Sequence, residues 1–239
     1  MTPLPIIEHR DAEALADALA AALASAIRNG VTARDEAWLV LAGGSTPLAA
    51  YRKLAAMDLP WSKVHLLASD ERWVPATHEK RNERALAKAF AAAAGVRLHP
   101  LLPADADTAG FSADHKALAS AEASLAALGH RAFDAVLLGM GGDAHFASLF
   151  PKVTPAAALD PGDATIAVAL TPDPLPPEAP FPRVSLSLSR LIASHALLLA
   201  ITGKSKRRVL ESARERLASE APIHALLAAA PDLDIHWSP

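Results

Sequence analysis

Short, continuously apolar runs recur along this chain, and most of them are followed by a stretch with helical periodicity. Residues 38–42, 64–69, 133–138 and 196–201 show almost no alternation of polar and apolar positions. A strand that is apolar on both sides must be covered on both faces. The segments between them supply the cover. Residues 11–28, the stretch running to Ala56, and residues 82–94, 112–128 and 204–218 carry apolar positions at helical spacing, with Asn29-Gly30 expected to stop the first helix. Two further strands are expected at 165–170 and 183–188. The pattern predicts an α/β protein with a mostly parallel sheet and helices on both of its faces.

The 239 residues suit one domain spanning 1–239. An apolar fraction of 51% against 21% charged residues excludes a disordered or fibrous chain. The net charge of −3 carries no electrostatic footprint for nucleic acid or an anionic membrane. Cysteine is absent, which excludes disulfides, thiolate metal sites and thiol nucleophiles. The alanine-rich stretch 12–27 is interrupted by Glu13 and Asp17, follows Asp11, and has no cationic lead. The expected setting is therefore cytoplasmic, without nucleic-acid or membrane partners. Residues 171–182 contain six prolines in twelve positions and are expected to form an ordered surface loop.

In open parallel sheets, ligands bind beyond the carboxyl ends of the strands. Three such ends carry unusual residues. At the first, Gly43-Gly44-Ser45-Thr46-Pro47 combines an unobstructed backbone with Thr46 as an expected N-cap and Pro47 as the first helical residue. It reads equally as an anion site at a helix start and as a capped turn without a ligand. At the second, Asp70, Glu71 and Arg72 follow a buried strand, where a solvated loop is the commoner outcome for an isolated trio. Asn82 opens the next helix within reach of the same place, or caps that helix. At the third, residues 139–151 present Asp143 and His145 on a glycine-rich backbone. An imidazole at a strand end is poised to take a proton near neutral pH. The other nine histidines have no comparable setting. Lys204, Lys206, Arg207 and Arg208 ordinarily form a solvated face, although one lysine turned inward would neutralise a phosphate.

Taken together, these segments resemble the 6-phosphogluconolactonase family, within the wider group that includes the glucosamine-6-phosphate deaminases. The resemblance rests on GGSTP at 43–47, SDERWVP at 69–75 with Asn82, GMGGDAHFASLFP at 139–151, Arg183 in RVSLSL, and Gly203 followed by Lys206. It implies a three-layer α/β/α sandwich with a Rossmann-like sheet. It further implies hydrolysis of 6-phospho-D-glucono-1,5-lactone in the oxidative pentose phosphate pathway, with no metal or organic cofactor. The expected partner is the phosphosugar lactone alone, bound by a monomer or weak homodimer.

Carried over by position, His145 resembles the general base. Gly43, Gly44, Ser45, Thr46 and Lys206 resemble the phosphate cradle, and Arg183 a further contact near the substrate. Asp70 and Arg72 fall where the family orders pocket and substrate. Either Arg72 or the backbone N–H groups of 139–142 would stabilise the oxyanion, and Asp143 either orients the imidazole or holds the turn. The chain departs from the family pattern at Ala144, where glycine is usual, at Phe146 in place of threonine, and at Arg81 in place of serine.

The alternatives are a deaminase or isomerase and a non-catalytic sugar-phosphate sensor. The deaminase loop carries a glutamate before its proline, whereas Phe150 stands there in this chain. A DNA-binding segment, which such a sensor needs, finds no room in this length and charge.

Overall fold

The computed structural model describes residues 5–108, 111, 115–126, 129 and 131–239. In chain order the elements are β1 (Ile6–Glu8), α1 (Ala12–Arg34), β2 (Ala37–Leu41), α2 (Ser45–Ala55), β3 (Val64–Ala68) and β4 (Asp70–Arg72). They continue with α3 (Asn82–Ala89), β5 (Arg97–His99), α4 (His115–Ala126), β6 (Ala135–Gly139), β7 (Ala167–Leu170) and β8 (Arg183–Leu186). The last are α5 (Leu188–Ile192), β9 (Leu197–Thr202), α6 (Lys204–Ala213), α7 (Ile223–Ala229) and β10 (Asp234–Ser238). The ends of the helix expected at 112–128 fall outside the described residues.

Seven strands form an all-parallel sheet in the order β1-β10-β9-β6-β2-β3-β5, flanked by helices in an α/β/α arrangement. Every residue of β2 and β3 is buried, which is why these strands read as unbroken apolar runs. The inner face of α1 buries Leu15, Leu19, Leu23 and Ile27 in the same core. α1 is long and apolar enough to cross a membrane by length and composition alone, but half of its apolar window is buried inside the protein. From β2 the chain moves outward to β3 and β5, then returns to the other side of β2 as β6. The loops after β2 and β6 therefore leave the sheet on either side of a switch point, where a crevice opens.

Three expectations about local structure are corrected. First, α1 does not stop at Gly30 but runs to Arg34, and Asp35 closes it in the left-handed region with φ 63°. A Cβ at Gly30 would lie 2.3 Å from Asp134 Oδ1. Glycine is there to admit that carboxylate, which accepts the Trp38 N–H at 2.7 Å and pairs with Arg34. Second, the segments 165–170 and 183–188 do form strands, yet outside the main sheet. As β7 and β8 they join β4 in an antiparallel sheet of order β4-β8-β7. This small sheet places Arg72 opposite Arg183 and Asp70 opposite Ser185. Third, α3 and α6 are shorter than their periodicity suggests, ending at Ala89 and Ala213.

Candidate active site

A cavity of about 310 Å³ opens at the switch point. Gly43, Gly44, Ser45 and Thr46 line it from the start of α2, Asp70 and Arg72 from β4, His145 from the loop after β6, Arg183 from β8, and Lys206 from α6. Segments far apart in the chain thus converge on one space. Asp143 is the exception among the expected site residues: it is not part of the lining and stands behind His145.

The start of α2 is built by glycine. Gly44, not Thr46, occupies the N-cap, with φ 95°, and no side chain caps the helix. Thr46 and Pro47 are consequently the second and third helical residues. That φ is readily available only to glycine, so the helix begins earlier than the Thr-Pro pair suggests. The N–H groups of its first turn have no intrahelical partner and no side-chain cap, which leaves them for an anion. At Gly43 a Cβ would fall 2.1 Å from the Asn82 side chain. Asn82 uses its amide to donate to the Asp70 carbonyl at 2.8 Å.

Around β4 the charged trio is largely buried rather than solvated. The Asp70 carboxylate accepts the hydroxyls of Ser69 at 2.9 Å and Ser148 at 2.5 Å. It therefore ties β4 to the loop after β6. Glu71, 1% exposed, accepts the backbone N–H groups of Arg72 at 2.7 Å, Asn82 at 2.8 Å and Glu83 at 2.8 Å. Burial pushes Glu71 up to about 7 despite those hydrogen bonds and the charge of Arg81. Arg72 donates through Nη1 to the Lys80 carbonyl at 2.7 Å. Arg183 donates through Nη2 to the Ala179 carbonyl at 2.8 Å, while its buried Nη1 has no hydrogen-bond partner. Burial, followed by the neighbouring charge of Arg72, lowers Arg183 to about 10.

His145 Nδ1 lies 2.5 Å from Asp143 Oδ1, and the ring packs on Phe150 at 4.3 Å between centroids. With Nδ1 engaged, Nε2 is the nitrogen left to exchange a proton. Burial raises Asp143, but its hydrogen bonds to His145 and the charge of the imidazole outweigh that and hold it below the usual carboxylate range. A Cβ at Gly141 would lie 2.1 Å from the imidazole, so glycine is required for the ring to occupy this position. Ala144 adopts φ 69°, a left-handed conformation that glycine reaches without strain and alanine does not. Its carbonyl accepts the Ile223 N–H at 3.0 Å, which holds the turn. Phe146 is fully buried in the core and does not face the cavity.

Of the basic cluster, Lys206 is the residue turned inward, and burial lowers its pKa. Arg207 instead pairs with Glu8 at 2.9 Å and Glu211 at 3.0 Å and lies over the Trp237 ring. Sequence reasoning did not place Glu178 or Ser148 in the site. Ser148 sits within a motif already singled out, whereas Glu178 belongs to the proline-rich loop, where nothing local marks it.

A family model described as glucosamine-6-phosphate isomerases/6-phosphogluconolactonase matches residues 10–237. The chain belongs to this family. Among its members, a 6-phosphogluconolactonase of Rhizobium meliloti is 40% identical over 234 residues, covering 95% of this chain and 94% of the relative. One from Pseudomonas putida is 35% identical, with coverages of 97% and 92%. The crystal structure of a 6-phosphogluconolactonase from Shewanella baltica superposes with a TM-score of 0.81 at 32% identity, over 98% of this chain and 97% of that one. A monomeric glucosamine-6-phosphate deaminase also shares the fold, with a TM-score of 0.76 at 20% identity over 98% of this chain and 96% of its own. Both branches of the family thus use this architecture, and the choice between them rests on the residues of the site.

Proposed function

We propose that this protein hydrolyses 6-phospho-D-glucono-1,5-lactone to 6-phospho-D-gluconate, a step of the oxidative pentose phosphate pathway, as a cytoplasmic enzyme formed by one domain of residues 1–239. The observation that carries the reading is that His145, held by Asp143, lines the same cavity as the uncapped start of α2 and Lys206. The N–H groups of Ser45 and Thr46, the Ser45 hydroxyl and Lys206 take the phosphate. That anchors the lactone carbonyl near the imidazole.

His145 Nε2 removes a proton from water as its oxygen attacks C1, and the carbonyl electrons move onto oxygen. Collapse of the tetrahedral intermediate breaks the C1–ring oxygen bond, and the imidazolium returns its proton to the departing ring oxygen. General-base help of this kind is worth roughly 10²–10⁴-fold. Arg72 is the better-supported oxyanion donor, because the Gly141 N–H already donates to the His145 carbonyl at 2.9 Å. Preorganised donors of this sort supply much of the remaining stabilisation.

Phe150 packs on the imidazole where a deaminase-type loop carries its glutamate, which supports the lactonase branch. The test is to incubate the protein with freshly generated lactone and, separately, with glucosamine 6-phosphate, following acid and ammonia release. Acid release well above the spontaneous rate without ammonia is expected. Ammonia release would move the protein to the deaminase branch, and binding without turnover would make it a sensor.

A further inference from the structure

Glu178 is the residue of the proline-rich loop that reaches the cavity. It makes no hydrogen bond or ion pair among the described residues. The rest of the lining is rich in donors, including Arg72, Arg183, Lys206 and Ser45. The other lining carboxylate, Asp70, already accepts the hydroxyls of Ser69 and Ser148. Binding a phosphate gives no reason for a free carboxylate in such a site, since its charge opposes the anion. A polyhydroxylated ring does give one. Its hydroxyls are donors that lose water on entering the cavity and then need acceptors.

The position of Glu178 is set by the site itself. Arg183, buried and lining the same cavity, donates to the carbonyl of the adjacent Ala179 at 2.8 Å. The Ala179 N–H donates to the Pro176 carbonyl at 3.1 Å, and the Phe181 N–H to the Ala179 carbonyl at 2.9 Å. Pro176, Pro177 and Pro180 fix φ around the glutamate. The backbone that presents the carboxylate is thus ordered before a ligand arrives, and only the exposed Glu178 side chain has still to be ordered on binding.

We propose that Glu178 is a specificity-determining substrate contact whose carboxylate accepts hydrogen bonds from ring hydroxyls of the phosphosugar lactone. This inference rests on the lactonase reading above. It is tested by steady-state kinetics of the wild type, Glu178→Gln and Glu178→Ala on 6-phosphogluconolactone and on its 2-, 3- and 4-deoxy analogues, with inorganic phosphate as a competitive inhibitor. Glu178→Ala is expected to raise KM for the parent lactone roughly 10–100-fold, the range for losing a hydrogen bond to a charged group. In that variant kcat stays within about threefold, the signature of lost uniform binding. Glu178→Gln, which keeps one acceptor oxygen, loses less. Phosphate inhibition stays equal or tightens, and the alanine penalty shrinks on at least one deoxy lactone.

The opposite sign overturns the proposal. A carboxylate that merely sits near the phosphate would leave KM unchanged or lower it when removed. An equal alanine penalty on all the deoxy lactones overturns it as well. A wild type inactive on the lactone defeats the parent reading and this one together, whereas an active wild type with unaffected variants defeats this one alone.

Discussion

The carboxylate of Glu71 and the guanidinium of Arg81 face each other at 3.5 Å with both side chains sealed from solvent. Arg81 also donates to the carbonyls of Val74 at 2.7 Å and Leu102 at 2.8 Å. Glu71 in turn holds the backbone of Arg72 and the first two residues of α3. A buried cation that does not face the cavity thus supports the strand carrying two residues that do.

Arg81→Ser, which introduces the residue that the family resemblance implies at this position, is expected to destabilise the fold by about 3–5 kcal/mol, because it strips the buried Val74 and Leu102 carbonyls of their donor and Glu71 of its counter-charge. Urea unfolding at pH 7.5 measures it, and a loss under about 1 kcal/mol would show that the backbone donors to Glu71 suffice alone. Glu71 has a folded value near 7, above its ordinary one. Its proton is therefore held more tightly in the folded state, and loss of the Arg81 charge raises Glu71 further. The charge-dependent part of the penalty should therefore be largest above pH 7 and shrink as pH falls to about 7, below which Glu71 is protonated in both proteins.

His145→Ala is expected to reduce kcat by roughly 10²–10⁴-fold while leaving affinity for a phosphorylated product analogue within a few-fold. Asp143→Asn removes the charge and lets an amide NH2 face Nδ1, which selects the other imidazole tautomer, and should cost at least about tenfold in kcat. Gly141→Ala is the sharper test of geometry. It replaces no titratable group, but its methyl would fall on the imidazole ring and the Asp143 carboxylate. It should lower kcat with a near-normal KM, and full activity would mean that the ring works from another position.

Lys206→Ala is expected to raise KM for the lactone by roughly 10–100-fold, as expected for losing a charge-assisted contact to phosphate. Inhibition by inorganic phosphate should weaken in parallel. Burial lowers the lysine, so phosphate binding should fade on the alkaline side at a pH below that of an exposed lysine. An unchanged KM would remove Lys206 from the cradle.

The main sheet was legible in the sequence because its central strands are buried on both faces, and such strands leave unbroken apolar runs. The edge strand β1 and the five-residue β10, Asp-Ile-His-Trp-Ser, were not legible, because their pairing comes from neighbours and not from their own composition. The site was legible where chemistry is concentrated in a few adjacent residues, as at 43–46 and 143–145. It was not legible at Glu178, whose place depends on a hydrogen bond from Arg183 to the next residue's carbonyl. Gly30 misled for a related reason: a glycine required by tertiary contact with Asp134 looks in sequence like one that ends a helix.

Two histidine pairs away from the cavity tie stability to pH. His65 Nδ1 lies 2.8 Å from His99 Nε2, with His65 stacked on Trp38 and its other nitrogen 3.5 Å from Glu36. His9 Nε2 lies 2.9 Å from His236 Nδ1. Burial lowers His65, His99 and His236; the neighbouring imidazole lowers His65 and His236 further, and Arg97 does the same for His99. For a base depressed in the folded state, the unfolded chain binds the extra proton first. The stability these groups contribute is then complete above the ordinary histidine value of about 6.5 and is lost as pH falls through the folded values. Glu71 acts in the opposite sense over part of that range, so the comparison needs a variant. The urea midpoint of the wild type, measured from pH 7.5 to 5, should carry a histidine-dependent fall that His99→Gln reduces. Identical slopes in the two proteins would show that the His65–His99 contact does not set the acid limb.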